Sequence, residues 1–120
     1  MKETIGLGLI GAGRAGMIHA RNFSRRVPNA KMIACSDVAE ESARGAAIEL
    51  GITAWHTDWH EILTNSAIDA VLVVTPTKFH HEIVIEAAKA KKHIFCEKPM
   101  AMNKKECQQM KTLWTLEYSF

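Results

Sequence analysis

Three clusters in this chain combine residue types and spacings that could do chemistry. The first is Gly11-Ala12-Gly13-Arg14-Ala15-Gly16, which follows the apolar run Ile5-Gly6-Leu7-Gly8-Leu9-Ile10 and opens a helical stretch, with Asp37 at the end of the next apolar run. A pyrophosphate can take hydrogen bonds from the N–H groups at a helix start only where no side chain stands in the way. Gly11 suits the tight turn, Gly13 clears the approach, and Gly16 lets the helix pack on its strand. Between a strand and a helix, this is a dinucleotide-binding fingerprint in its proper setting.

Gly6, Gly8 and Gly11 satisfy the same spacing, so register has to be decided. Starting at Gly6 would put the phosphate turn among Leu7, Leu9 and Ile10, whose side chains favour burial. Starting at Gly11 gives a full strand before the turn and an acid about twenty residues beyond the last glycine. Asp37 then has two readings, acceptor for the adenosine ribose or cap for the helix that follows. As a ribose acceptor it would repel a 2′-phosphate, which favours NAD over NADP. Arg14 and Arg44 are the residues that could offer a charge to such a phosphate.

The second cluster is Thr75-Pro76-Thr77-Lys78-Phe79-His80, after the most β-branched run of the chain, where His80 reads as a site residue or as an ordinary residue of a helix start. The third is Glu97-Lys98-Pro99. A lysine at such an edge could hold a substrate hydroxyl or tune a proton acceptor if desolvated, or it could be a solvated loop lysine. The pairs His56/His60 and His80/His81 raise a metal site, but no glutamate completes a zincin motif and no cysteine pair has ligand spacing. No metal is expected.

Strand-like and helix-like segments must position these clusters, and they alternate as in a parallel sheet of βαβ units. Strands are expected over residues 4–10, 31–36, 52–55, 68–74 and 92–96, and helices over 15–26, 40–50, 58–63, 80–91 and from 103 through 114 or a little beyond. Val27-Pro28-Asn29 stops the first helix, and Gly51 caps the second, which carries Ala43, Ala46, Ala47 and Leu50 on one side. Asp58 and Asn103 serve as caps, and the fourth helix carries Ile83, Val84, Ala87 and Ala88. Right-handed crossovers would bring Gly11, Asp37, Thr75 and Lys98 to one edge of the sheet.

With 48% apolar and 23% charged residues, the 120-residue chain has the composition of one soluble globular domain over residues 1–120. Its 15 basic and 13 acidic residues are dispersed, which argues against nucleic acid and an anionic membrane as partners. No run has the features of a secretion signal or the length of a membrane span. Cys35, Cys96 and Cys107, odd in number and widely spaced, read as reduced thiols of a cytoplasmic protein.

The ordered set of the glycine turn, Ser36-Asp37, Thr75-Pro76-Thr77 with His80, and Cys96-Glu97-Lys98-Pro99 resembles the N-terminal half of Gfo/Idh/MocA oxidoreductases. Within that family it looks most like the inositol 2-dehydrogenase branch, with a sugar or other polyol dehydrogenase as the alternative. The resemblance implies an α/β fold, a Rossmann-type doubly wound parallel sheet that binds NAD. It implies that Gly11, Ala12, Gly13, Arg14, Ala15 and Gly16 hold the pyrophosphate and Asp37 the adenosine ribose. Thr75 and Pro76, with Thr77 and His80, would line the cofactor, and Glu97 would lie near the nicotinamide ribose. Lys98 would sit near the reacting hydroxyl and assist proton removal as hydride moves to NAD, and Pro99 would follow a cis peptide bond.

Family members continue into a second α/β domain that completes the substrate site, whereas this sequence ends before a sixth strand. The expectation is therefore cofactor binding without efficient turnover. An uncovered sheet edge would be shielded by Trp114, Tyr118 and Phe120 or by a second copy of the chain, giving a homo-oligomer. The competing reading is a nucleotide-sensing or interaction module that keeps the fold without the chemistry.

Overall fold

The computed structural model describes residues 3–118, with side chains described up to residue 112. Trp114, Tyr118 and Phe120, expected to shield the sheet, lie outside the described side chains.

Short apolar runs form five parallel strands: β1 (Ile5–Ile10), β2 (Ala30–Ser36), β3 (Ala54–His56), β4 (Ala70–Val73) and β5 (His93–Cys96). The amphipathic segments between them form α1 (Arg14–Arg26), α2 (Glu40–Leu50), α3 (His60–Leu63), α4 (His80–Lys89) and α5 (Lys104–Tyr118), with a 3-10 turn at Thr77–Phe79 leading into α4. The spatial order is β3-β2-β1-β4-β5. The chain winds outward from β1 to β3, then crosses back to place β4 on the other side of β1. That reversal opens a crevice between the C-terminal ends of β1 and β4, where ligands of such sheets bind.

Alternation along the strands divides the core between two faces. Leu7, Leu9, Cys35 and Leu72 pack under α1 and α2 with Met17, Ala20, Ala46 and Ala47, while Ile10, Ala34, Val71 and Val73 pack on the other face with Ile62, Ile83, Ala87 and Met110. Each fully buried leucine, isoleucine or valine contributes roughly 1.5–3 kcal/mol by leaving water. The alanines predicted for one side of α2 and the apolar set predicted for α4 are the buried faces of those helices.

Strand β4 is shorter than the expected 68–74, and two other element ends differ from expectation because a cap consumes the residue. The Ile52 amide donates to the Ala47 carbonyl across the left-handed Gly51, so β3 starts at Ala54. Helix α4 stops at Lys89 because Lys91 takes the left-handed conformation (φ 58°) and lets the Lys92 amide reach Ala87, a capping geometry that usually signals itself through glycine. At the start of α5, Asn103 accepts from the Glu106 amide while the Glu106 carboxylate accepts from Met102. That helix runs to Tyr118, a little beyond residue 114 as expected.

Candidate functional site

The glycine turn links β1 to α1, and its shape requires two of its glycines. Gly11 has φ 101°, and a Cβ there would lie 2.5 Å from the Val74 carbonyl oxygen at the end of β4. A Cβ on Gly16 would lie 1.9 Å from the Gly11 carbonyl oxygen, so the helix can sit this close only without one. Gly13 differs, since a Cβ there would meet nothing within 4 Å. Its bareness leaves room above the start of α1, where no side chain caps the helix and no acid sits in the first turn. Gly6 and Gly8 lie inside β1, so the turn adopts the Gly11 register.

Asp37 follows the end of β2 and does not cap α2, whose N-cap is Ala39 with no side-chain partner; it closes the turn ahead of that helix and reaches the glycine turn. Its Oδ1 accepts from the Ala39 amide at 2.9 Å, and its Oδ2 accepts from the Ala12 amide in the glycine turn, also at 2.9 Å. The carboxylate is thereby fixed beside the turn. Each oxygen keeps a further acceptor position, as a pair of ribose hydroxyls would require. Gly11, Gly13, Asp37, Thr75 and Pro76 line one cleft of about 340 Å³, together with Val38, Trp59 and Phe79. Val38 and Phe79 expose apolar surface at this edge of the sheet.

His80 does not open into that cleft. Its ring is buried, with Nε2 2.8 Å from the Thr75 carbonyl oxygen and Nδ1 3.0 Å from that of Pro99. It therefore bridges the loop after β4 to the loop after β5, an indirect service to the site rather than an open contact surface. Thr77 opens the 3-10 turn that leads from the loop after β4 into α4.

At the end of β5 the Glu97 amide donates to the Val73 carbonyl, which keeps the strand against β4. The Glu97 carboxylate has two partners: His19 Nε2 on α1 at 2.6 Å from Oε2, and the Lys98 amide at 3.1 Å from Oε1. The His19 hydrogen bond, and then that of the Lys98 amide, hold the Glu97 carboxyl below the usual glutamate range. The His19 ring in turn rests on Phe95, centroids 5.0 Å apart. Lys98 is exposed and precedes the expected cis peptide bond to Pro99. It does not line the 340 Å³ cleft; it borders a neighbouring cavity of about 620 Å³ between β5, α4 and α5, with Cys96, Met100 and Met110.

The cysteines are unbridged. Burial, with the Asp37 charge as a lesser cause, pushes the Cys35 thiol up to about 11, and burial beside Glu97 does the same to Cys96. Such thiols are poor nucleophiles and poor ligands at neutral pH. Among the described residues no three histidine, cysteine or acidic side chains converge on a metal position. His60 Nδ1 donates to Asp58 Oδ1 instead, and the ring stacks on Trp59.

Sequence reasoning did not single out His19, Val38 or Trp59, and named Phe79 only as part of the second cluster. His19 is 78 residues from Glu97, and only its place three residues after Gly16 hinted that it would face the sheet.

These residues fit a dinucleotide. The bare Gly13 and the uncapped start of α1 leave amides for a pyrophosphate, and Asp37 stands on the β2 side as a fixed carboxylate. Residues 5–116 match the model of the oxidoreductase family with an NAD-binding Rossmann fold. The chain is 43% identical to myo-inositol 2-dehydrogenase of Thermotoga maritima and 40% identical to the NAD(+)-dependent scyllo-inositol 2-dehydrogenase of Bacillus subtilis, over 87% and 88% of its own length. It spans about 31% of the length of each of these curated relatives. The crystal structure of scyllo-inositol dehydrogenase from Lactobacillus casei with bound NAD(H) and scyllo-inositol superposes with a TM-score of 0.89 at 32% identity, covering 95% of this chain and 34% of that one. A five-stranded parallel sheet with the glycine turn at its switch point, a fixed acid after β2 and this matched span identify the chain as a member of the Gfo/Idh/MocA oxidoreductases, of which it carries the NAD-binding Rossmann domain.

Proposed function

We propose that residues 1–120 form the cofactor half of an oxidoreductase that moves a hydride between a polyol or sugar hydroxyl, inositol-like in character, and NAD. The observation that carries this reading is the fixation of Asp37 to the glycine turn through the Ala12 amide, which sets a ribose acceptor beside a pyrophosphate site. In this reading the Arg14, Ala15 and Gly16 amides receive the pyrophosphate, and Ala12 and Gly13 shape its approach. Val38, Thr75, Pro76 and Phe79 receive the flat adenine, with Thr77 and His80 supporting the wall. The cofactor supplies the hydride acceptor.

The β5 end then serves the nicotinamide half, because a dinucleotide crosses the switch point and its second nucleotide lies over β4 and β5. Glu97 accepts from the second ribose, and Lys98 holds the reacting hydroxyl and helps remove its proton. The neighbouring cavity that Lys98 borders is in keeping with a substrate lying beside the cofactor rather than in its cleft. On its own the chain is expected to bind cofactor without efficient turnover, since hydride transfer needs the substrate held at near-attack distance and this chain spans about a third of the length of its curated relatives. The unbridged thiols suit the cytoplasm. With β5 as an open edge and Phe95 partly exposed on it, a second copy of the chain is a natural partner.

Calorimetric titration with NAD and with NADP, repeated on Asp37→Ala, tests the reading. NAD is expected to bind more tightly than NADP, and the substitution to weaken NAD by about tenfold to a hundredfold, a loss of ~1–3 kcal/mol for the acceptor and the amides it satisfies. Absence of NAD binding by the unsubstituted chain would reject it.

A further inference from the structure

Two carboxylates occupy equivalent places in the sheet. Asp37 is the first residue after β2, next to β1, and Glu97 is the first residue after β5, next to β4. The switch point lies between β1 and β4, so each acid stands one strand away from it, on opposite sides. A dinucleotide has the same symmetry about its pyrophosphate, with one ribose on each side. Each acid is also held at both oxygens: Asp37 by the Ala12 and Ala39 amides, Glu97 by His19 Nε2 and the Lys98 amide.

The partners differ in kind. Asp37 leans on backbone, which is placed once the chain folds. Glu97 has a longer side chain and depends on another side chain, His19, whose ring is kept in place by Phe95, itself edge-on to Phe23. Without the Nε2–H donor, the Glu97 carboxylate keeps one tether and regains its rotamers, and an acceptor free to rotate loses part of its affinity for a hydroxyl pair.

We infer that His19 is a positioning residue for the second ribose, holding Glu97 as Ala12 holds Asp37, so that the glycine turn and the α1 helix it opens organise both ribose sites of one dinucleotide. The inference rests on the cofactor reading above and assigns His19 no contact with the cofactor. It predicts that losing the His19 donor affects only ligands that carry a second ribose.

The test uses ADP, with one ribose, and ADP-ribose, with two and no nicotinamide, titrated into the full chain. ADP-ribose is expected to bind more tightly than ADP. His19→Phe keeps a ring against Phe95 but has no donor; it is expected to weaken ADP-ribose by about fivefold to tenfold, the value of one hydrogen bond to a charged group, and to leave ADP unchanged. Unchanged ADP binding also reports that the variant is folded. His19→Gln, whose amide can donate at a similar reach, is expected to recover most of the loss, and His19→Phe is expected to have no further effect in a Glu97→Ala background. Equal weakening of ADP and ADP-ribose would assign His19 a merely structural role and overturn the inference. So would an unaffected ADP-ribose affinity, or a His19→Gln variant no better than His19→Phe. Wild-type chain that binds ADP as tightly as ADP-ribose overturns this inference alone, whereas chain that binds neither overturns the cofactor reading with it.

Discussion

The β2 end and the β5 end of the sheet present similar carboxylates through different means of support. On the β2 side, Asp37 is short, and both its partners are backbone amides, one of them in the glycine turn that also receives the Gly11 amide's partner, the Ser36 carbonyl. On the β5 side, the strand is an edge, its side chains alternate between exposed and half-buried, and Glu97 depends on the side chain of His19. The loop beyond it is tied back by a second side chain, His80. An interior strand can position a site residue through its neighbours' main chain. An edge strand, with one neighbour, has to recruit side chains from helices to reach the same order.

The most severe way to break this contrast is to attack the shared turn. Gly11→Ala would force φ 101° on a residue with a Cβ and drive that atom to 2.5 Å from the Val74 carbonyl oxygen. A loss of about 3 kcal/mol or more is expected from strain and clash together, read from thermal or urea unfolding. Retained stability would mean that the turn is looser than its geometry.

His80→Phe attacks the β5 side only. It keeps an aromatic ring in a buried place but removes the ring nitrogens, and with them the N–H donor, that face the Thr75 and Pro99 carbonyls, a loss of about 1–3 kcal/mol. Amide hydrogen exchange should quicken over residues 97–102 and change little around Ala12, Asp37 and Ala39. Equal acceleration at both ends would erase the distinction between main-chain and side-chain support.

The mildest probe is acid. The Glu97 carboxyl titrates below its ordinary value of 4.5 in the folded chain, because the His19 and Lys98 donors favour the ionised form. With the folded value the lower one, the stabilisation is in place above the ordinary glutamate range and is lost as pH falls through the folded midpoint. Carboxyl-carbon NMR should show a depressed midpoint for Glu97 that moves back up in His19→Phe. A midpoint that ignores the substitution would detach the two residues.

How much was legible follows the same division. The turn register, the five strands, the alanine face of α2 and the Asn103 cap could all be read from local spacing, and the structure contains each of them. Two of the misplaced ends were caps whose residues gave weak local signals: Ile52 looked like strand but closes α2, and Lys91 takes a left-handed conformation that sequence rules assign to glycine. His80 was legible as a residue of note, but its two carbonyl partners, on loops five and nineteen residues away, were not.

The sequence alone determined what depends on neighbours along the chain: the alternation of strand and helix, the bare backbone at Gly11, Gly13 and Gly16, and an acid at the end of the second strand. Only the tertiary structure decided the attachments that make those parts a site: Asp37 on Ala12, Glu97 on His19, His80 between two loops, and Lys98 at a cavity apart from the nucleotide cleft. The physical reason is range. Dihedral preference and hydrophobic period act over a few residues and leave a mark in composition, whereas a hydrogen bond spanning 78 residues exists only once the crossovers have set α1 beside the end of β5.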